Sequence, residues 1–154
     1  MTVTTRPRGE VERWLVRNGW EPGRDVSERV AEFIECAEDW AKREGFPAPV
    51  FDAARDFLRS YGLLELKAEK HPGRSLEINP AGGHESDYES IAELTEELGV
   101  RLFRVGFDMP EWGRILMDEA GRFYYLHWSG SYVLGNDVYE ALGNWLVNNL
   151  EELD

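Results

Sequence analysis

At Gly62 the spacing of apolar residues changes from helical to alternating, and few folds accommodate that change. Upstream, Val26, Val30, Phe33, Ile34, Ala37, Trp40 and Ala41 recur every three or four residues up to Gly45, the spacing of one face of an amphipathic helix. Downstream, Leu64, Leu66 and Ala68 alternate with Glu65, Lys67 and Glu69. Leu76 and Ile78 then alternate with Glu77 and Asn79 beyond the turn-like His71-Pro72-Gly73. Alternation puts successive side chains on opposite faces of a strand, so the second pattern predicts a hairpin with one buried face.

The rest of the chain switches back and forth in the same way. Val11, Trp14, Leu15 and Asn18 outline a short helix over 10–18 with Gly19 as its stop, where a left-handed residue is favoured. Trp20-Glu21-Pro22-Gly23-Arg24 reads as a turn, and Asp25 with Glu28 resembles a capping box opening the long helix. Pro47 and Pro49 mark a loop before a third helix carrying Val50, Ala54, Phe57, Leu58 and Tyr61. A fourth helix is expected over 87–98. Strands follow at 100–107, 115–118 and 123–128, where β-branched and aromatic residues concentrate. Asp118-Glu119-Ala120-Gly121 supplies a tight turn. After Leu134-Gly135 the spacing of Val138, Ala141, Leu142, Trp145, Leu146 and Leu150 predicts a last helix, capped by Asn136 or Asp137. Helices segregated from hairpins favour an α+β domain with a mostly antiparallel sheet flanked by helices. A flexible segment is expected over 1–9, and one domain over 10–154, a length at which a chain buries a sizeable core unaided.

Charge narrows the function. The 154 residues carry 17 Lys+Arg and 30 Asp+Glu, a formal net charge of −13. Residues 1–80 hold 13 basic and 15 acidic side chains, whereas residues 81–154 hold 4 and 15. A polyanion such as nucleic acid, or an anionic membrane surface, is repelled by such a chain, and a charged partner is expected to be basic. No apolar run approaches the roughly 20 residues that span a bilayer, and MTVTTRPRGEVERW lacks the apolar core of a signal peptide. A cytoplasmic, soluble protein is expected. The single Cys36 excludes an internal disulfide; between Phe33/Ile34 and Ala37/Trp40 it reads as a small core or boundary residue.

Catalytic chemistry finds little support. His71, His84 and His127 show no metal-ligand spacing, so neither metal nor cofactor is expected. There is no G-x-S-x-G elbow, and Ser129-Gly130-Ser131 beside His127 reads as a polar turn. Ala81-Gly82-Gly83 lacks the Lys-Ser/Thr of a phosphate loop. No catalytic residue is assigned. The partner-binding candidates are surface features instead. Glu85, Glu89, Glu93, Glu96 and Glu97 cluster on the helix face opposite Ile91 and Leu98, with no Lys or Arg among them. Like charges four apart each cost about 0.2–0.5 kcal/mol, which a binding role would explain. Acidic and aromatic loop residues complete the list: Asp108, Glu111, Trp112, Asp118, Glu119, Trp128 and Tyr132.

Several ordered segments carry a resemblance. Leu15-Val16-Arg17-Asn18-Gly19-Trp20-Glu21-Pro22-Gly23-Arg24-Asp25-Val26 resembles the opening of the third subgroup of the SUKH superfamily of bacterial immunity proteins. So do residues 54–64, Leu76-Glu77-Ile78-Asn79-Pro80, residues 98–106, Met117-Asp118-Glu119-Ala120-Gly121-Arg122-Phe123-Tyr124-Tyr125 and residues 134–142. Together they cover about residues 10–150. The resemblance implies a helix-flanked, mostly antiparallel sheet and a role as the antidote encoded beside a polymorphic toxin, acting by binding and blocking rather than by catalysis. Many such toxins are nucleases. Gly19, Trp20, Pro22, Gly23, Arg24 and Gly121 are structural on this reading. The partner expected is therefore a cognate, basic toxin protein, with neither nucleic acid nor membrane. The alternative is a housekeeping interaction or scaffold domain of the same fold; a small hydrolase using His127 ranks third.

Overall fold

The computed structural model describes residues 7–81 and 87–153. Three helices come first: α1 (Arg8–Arg17), α2 (Ser27–Arg43) and α3 (Asp52–Tyr61). A hairpin of β1 (Glu65–Lys67) and β2 (Ser75–Glu77) leads to α4 (Asp87–Leu98). Four strands follow, β3 (Leu102–Met109), β4 (Arg114–Asp118), β5 (Phe123–His127) and β6 (Gly130–Gly135), then α5 (Val138–Leu146) and the short β7 (Glu151–Glu152). The seven strands form one sheet in chain order, each antiparallel to its neighbours. This is the expected α+β architecture.

Each face of the sheet has its own core. On one face Leu66, Leu76, Phe103, Val105, Ile115, Met117, Phe123, Tyr125 and Leu134 pack with buried residues of α1, α3 and α5. On the other, Leu102, Leu116, Tyr124 and Leu126 pack with Tyr88, Ile91 and Leu94 of α4. Helix α2 contributes to both, through Val30, Ile34 and Ala37 on one side and Ala41 on the other.

The Gly-Trp-Glu-Pro-Gly-Arg segment is a structural clasp. Gly19 (φ +103°) ends α1 as the left-handed residue, with Trp20 N–H donating to Leu15 O and Gly19 N–H to Val16 O, the paired bonds of a Schellman motif. Trp20 is buried, stacks on Tyr61 and donates from Nε1 to Ser60 Oγ. Arg24 donates to Ser60 O at 2.8 Å, and Val26 N–H to Arg59 O. Both ties end on the last turn of α3.

A bulge in β3 decides which way its side chains point. Arg104 pairs with Leu116 and Gly106 with Ile115, so Val105 is the extra residue between them. Inserting one residue inverts the alternation that follows. Phe107 therefore turns away from the larger core and Asp108 turns into it, opposite Leu76. A Cβ on Gly106 would lie 2.3 Å from the Glu77 carbonyl oxygen, so this crossing of β2 over β3 requires glycine.

Local differences from the sequence expectations have physical causes. Helix α1 starts at Arg8, inside the segment expected to be flexible. Asp25, one residue before the Val26 N-cap, accepts from the Ser27 hydroxyl and the Ser27 N–H rather than forming a box with Glu28, and the hydroxyl first, then the N–H, hold its carboxyl below the ordinary range. Cys36 is exposed, not in the core or at its boundary, because the apolar stripe of α2 runs through Ile34, Ala37 and Ala41. Helix α5 is capped by Asp137 as expected. It stops at Leu146, because Asn148 turns left-handed (φ +54°) and the chain reverses to add β7 to the sheet edge. Leu150 thus lies beyond the helix. Gly130 and Ser131 belong to β6, paired with His127 and Leu126, rather than to a polar turn.

Candidate partner-binding surfaces

Helix α4 is held by its first residue. The buried Asp87 carboxylate accepts from Arg104 Nη1 at 2.9 Å and from Arg114 Nε at 2.6 Å. Arg104 also donates to Pro80 O and Tyr88 Oη. Burial lowers the Arg104 pKa from its ordinary value, opposed mainly by Tyr88 and Asp87. With Tyr88, Ile91 and Leu94 inward, Glu89, Glu93, Glu96 and Glu97 are all exposed. No Lys or Arg lies on the helix. Among the described residues none of the four makes an ion pair. Glu85, His84 and the glycines of the Ala81-Gly82-Gly83 run lie outside the described residues.

A second group gathers where the β1–β2, β3–β4 and β5–β6 turns meet at one end of the sheet. Asp108 organises it from inside. One carboxylate oxygen accepts from Tyr125 Oη at 2.8 Å and from Trp145 Nε1 at 3.0 Å, and the other from Gly113 N–H at 2.8 Å. Tyr125 is strongly disfavoured as a phenolate, first by burial and then by the neighbouring Asp108. A Cβ on Gly113 would overlap the Tyr125 ring at 2.1 Å. The turn is therefore pressed against β5, and it presents Glu111 and the half-buried Trp112, which stacks on Phe107 at 5.1 Å.

Glu111 reaches His127 Nε2 at 3.1 Å, and His127 Nδ1 lies 2.7 Å from Ser129 Oγ, which is 3.0 Å from Tyr132 Oη. His127 and Ser129 meet because Ser129 sits in the turn after β5, where its N–H also reaches Nδ1. An N–H can only donate, so this contact favours Nδ1 as acceptor and Nε2–H as donor to Glu111. The network links two turns and frames a cleft of about 570 Å³ that includes His71, Arg74 and Tyr125. Beside it stands Trp128, 83% exposed.

Two expected contact residues are interior. Asp108 is 1% exposed and Asp118 is 5% exposed, so neither presents a carboxylate to a partner. The Asp118 carboxylate accepts from Ala120 N–H, Arg122 N–H and Tyr124 Oη, holding the β4–β5 turn. Glu119 diverges into solvent near Arg101, at 3.7 Å, on the opposite end of the sheet from Trp128. Sequence reasoning missed that Phe107 faces away from the larger core; the signal for it was Gly106, a strand glycine that marks a bulge.

Among the described residues, no cluster of His, Cys, Asp or Glu is arranged to hold a metal ion. No helix among them is long and apolar enough to cross a membrane. The fold and its surfaces define a small α+β domain with exposed acidic and aromatic features on the outside and a polar network of Asp87, Asp108 and Asp118 inside. The chain belongs to the SUKH-3 immunity protein family, whose model matches residues 7–148. No curated protein and no solved structure matches the chain.

Proposed function

We propose that this immunity protein is the cytoplasmic antidote to a cognate basic toxin, docking on it through acidic surface and covering its active site. The observation that carries the reading is the row of four exposed α4 glutamates without a cation on their helix, in a chain of net charge −13. A nuclease holds its polyanionic substrate with Lys and Arg, and the same groups attract carboxylates, so a nuclease toxin fits this surface best. Complementary fields of this kind raise association toward about 10⁸–10⁹ M⁻¹s⁻¹ at low salt. Glu89, Glu93, Glu96 and Glu97 are the proposed first contacts, with Glu111, Trp112, Trp128, Tyr132 and Glu119 as further candidates. Such an antidote needs no catalysis and no cofactor.

The test is capture of the polypeptide encoded beside this chain, followed by association rates against salt. A tight complex whose association slows steeply with salt supports the reading. Binding to no neighbouring product returns the chain to a housekeeping interaction domain.

A further inference from the structure

One strip of the sheet belongs to neither core. Across the face that α4 partly covers, Glu65 of β1 pairs with Glu77 of β2, Glu77 with Phe107 of β3, and Phe107 with Arg114 of β4. Partners in such a row have Cβ atoms about 4.5–5.5 Å apart on one face. Phe107 is half-buried and joins neither hydrophobic cluster of the described residues. Its ring lies 5.1 Å from that of Trp112, 14° from parallel, which makes a flat aromatic pair beside two carboxylates.

Those carboxylates are in an unfavourable arrangement. Glu77 Oε2 is buried and has no hydrogen-bond partner. Burial, then the negative charge of Glu65, then a hydrogen bond between the two carboxyls that only the protonated form can make, push the Glu77 carboxyl above its ordinary value. Like charges directly opposite on a sheet destabilise it. Lys67, 3.7 Å from Glu65, is mostly exposed and engages only the outer carboxylate. Arg114, on the far side of Phe107, is already held by Asp87. What the strip lacks is a planar cation that donates hydrogen bonds to Glu77 while lying against a ring.

We propose that Glu65, Glu77, Phe107 and Trp112 form the seat for an arginine side chain of the protein partner, an inference that rests on reading that partner as basic. A guanidinium offers five N–H donors in one plane, can fork onto a carboxylate and stacks flat on aromatic faces, whereas a lysine ammonium is a compact point charge with three donors that neither forks in a plane nor stacks flat. Neutralising two opposed carboxylates on binding returns the repulsion borne by the free protein, so the strip is better suited to the bound state than to the free one.

The probe is the blocked tripeptide acetyl-Gly-Arg-Gly-amide, short enough to avoid the diffuse attraction a polyarginine would feel for this acidic chain. Titrated into the isotopically labelled full chain at low salt, it is expected to give saturable NMR shifts at Glu77, Phe107 and the Trp112 indole. The Gly-Lys-Gly analogue should bind several-fold more weakly. Glu77→Gln should weaken the arginine peptide about tenfold while near-UV dichroism confirms the native fold, and Phe107→Leu should remove the preference for arginine over lysine. Glu35→Gln, on the exposed face of α2, should change nothing. Absence of shifts at the strip, or an unchanged response in Glu77→Gln, overturns the proposal. The adjacent-gene product separates this seat from the broader reading. If it binds wild type and Glu77→Gln equally, the seat is wrong and the antidote reading stands. If it binds neither, the antidote reading falls and the tripeptide alone decides the seat.

Discussion

The carboxylates inside this domain and those on its acidic face obey opposite rules. Asp87, Asp108 and Asp118 are nearly inaccessible, and each accepts two or three hydrogen bonds from groups far apart in the chain or across a turn. Glu89, Glu93, Glu96 and Glu97 line up in solvent on a helix without a cation, and Glu77 stands between the two groups, with one buried unpartnered oxygen and a carboxyl pushed toward its uncharged form by burial. Buried charge persists only where it is paired, because an uncompensated one costs several kcal/mol. Unpaired carboxylates on the outside cost far less, a few tenths of a kcal/mol per repulsive pair. The interior acids therefore hold the fold, and the exterior ones lower its stability slightly while remaining available to a partner.

The contrast breaks most severely at Asp87. Asp87→Ala leaves Arg104 buried without its counter-ion and frees Arg114, and a loss of about 3–5 kcal/mol is expected in urea denaturation. The double change Asp87→Ala with Arg104→Met should recover part of it, since an apolar replacement of both partners removes the uncompensated charge. A loss under about 1 kcal/mol for the single variant would mean that solvent already reaches this pair, and that inner and outer acids differ less than their exposure indicates.

Next in size is a change at the bulge that sorts β3 side chains between the two regimes. In Gly106→Ala a Cβ would sit 2.3 Å from backbone oxygen of β2, which cannot swing aside as a side chain would. A destabilisation of about 1–3 kcal/mol is expected, with amide-exchange protection lost first along the β2–β3 pairing.

This bulge also marks where the sequence stopped being legible. Helices α1 to α4, the β1–β2 hairpin and the turn at Asp118–Gly121 follow from spacing and turn residues, because local sequence dictates them. Strict alternation through Phe103, Val105, Phe107 and Met109 would place all four inward and Asp108 outward. The extra residue at Val105 reverses positions 107 to 109, so Asp108, an acid read as surface, becomes the hub of the larger core, and Phe107, which alternation alone would turn inward, faces outward. Strand β6 was obscured by its polar start, Gly130 and Ser131. The end of α5 was obscured because Leu150 keeps helical spacing after the chain has turned back. The α4 glutamates were legible because a helical face free of cations can be read from spacing alone. The convergence of Glu111, His127 and Ser129 depends on the pairing of distant strands, and composition carries no record of it.

A smaller effect, opposite in sign, belongs to Glu77. Its folded-state carboxyl is raised above the unfolded value, mainly by burial and then by Glu65. The protonated form is thus favoured in the native state; its stabilising contribution is in place at acid pH and lost as pH rises through the raised value. Glu77→Gln should raise the Tm at pH 7, by an amount corresponding to about 0.2–1 kcal/mol, and flatten the fall in stability just above the ordinary carboxylate range. An unchanged pH profile would show that Glu77 is solvated in the native state and that its buried oxygen is no liability.

The smallest stability effect should accompany a large kinetic one. Glu93→Lys with Glu97→Lys converts the repulsive pairing of Glu89 with Glu93 into an attractive one and leaves lysine against lysine at 93 and 97, so the net change on the helix is within about 0.5 kcal/mol. The charge of the chain shifts by four units at the proposed first contact, and association with a basic partner should slow by about an order of magnitude at low salt, converging with wild type as salt is raised. If Glu77→Gln instead speeds dissociation while this pair leaves both rates untouched, the acidic helix is solubilising surface and the partner is held at the sheet. If both variants act, each on its own rate, α4 steers the encounter and the Glu77–Phe107 strip retains what arrives.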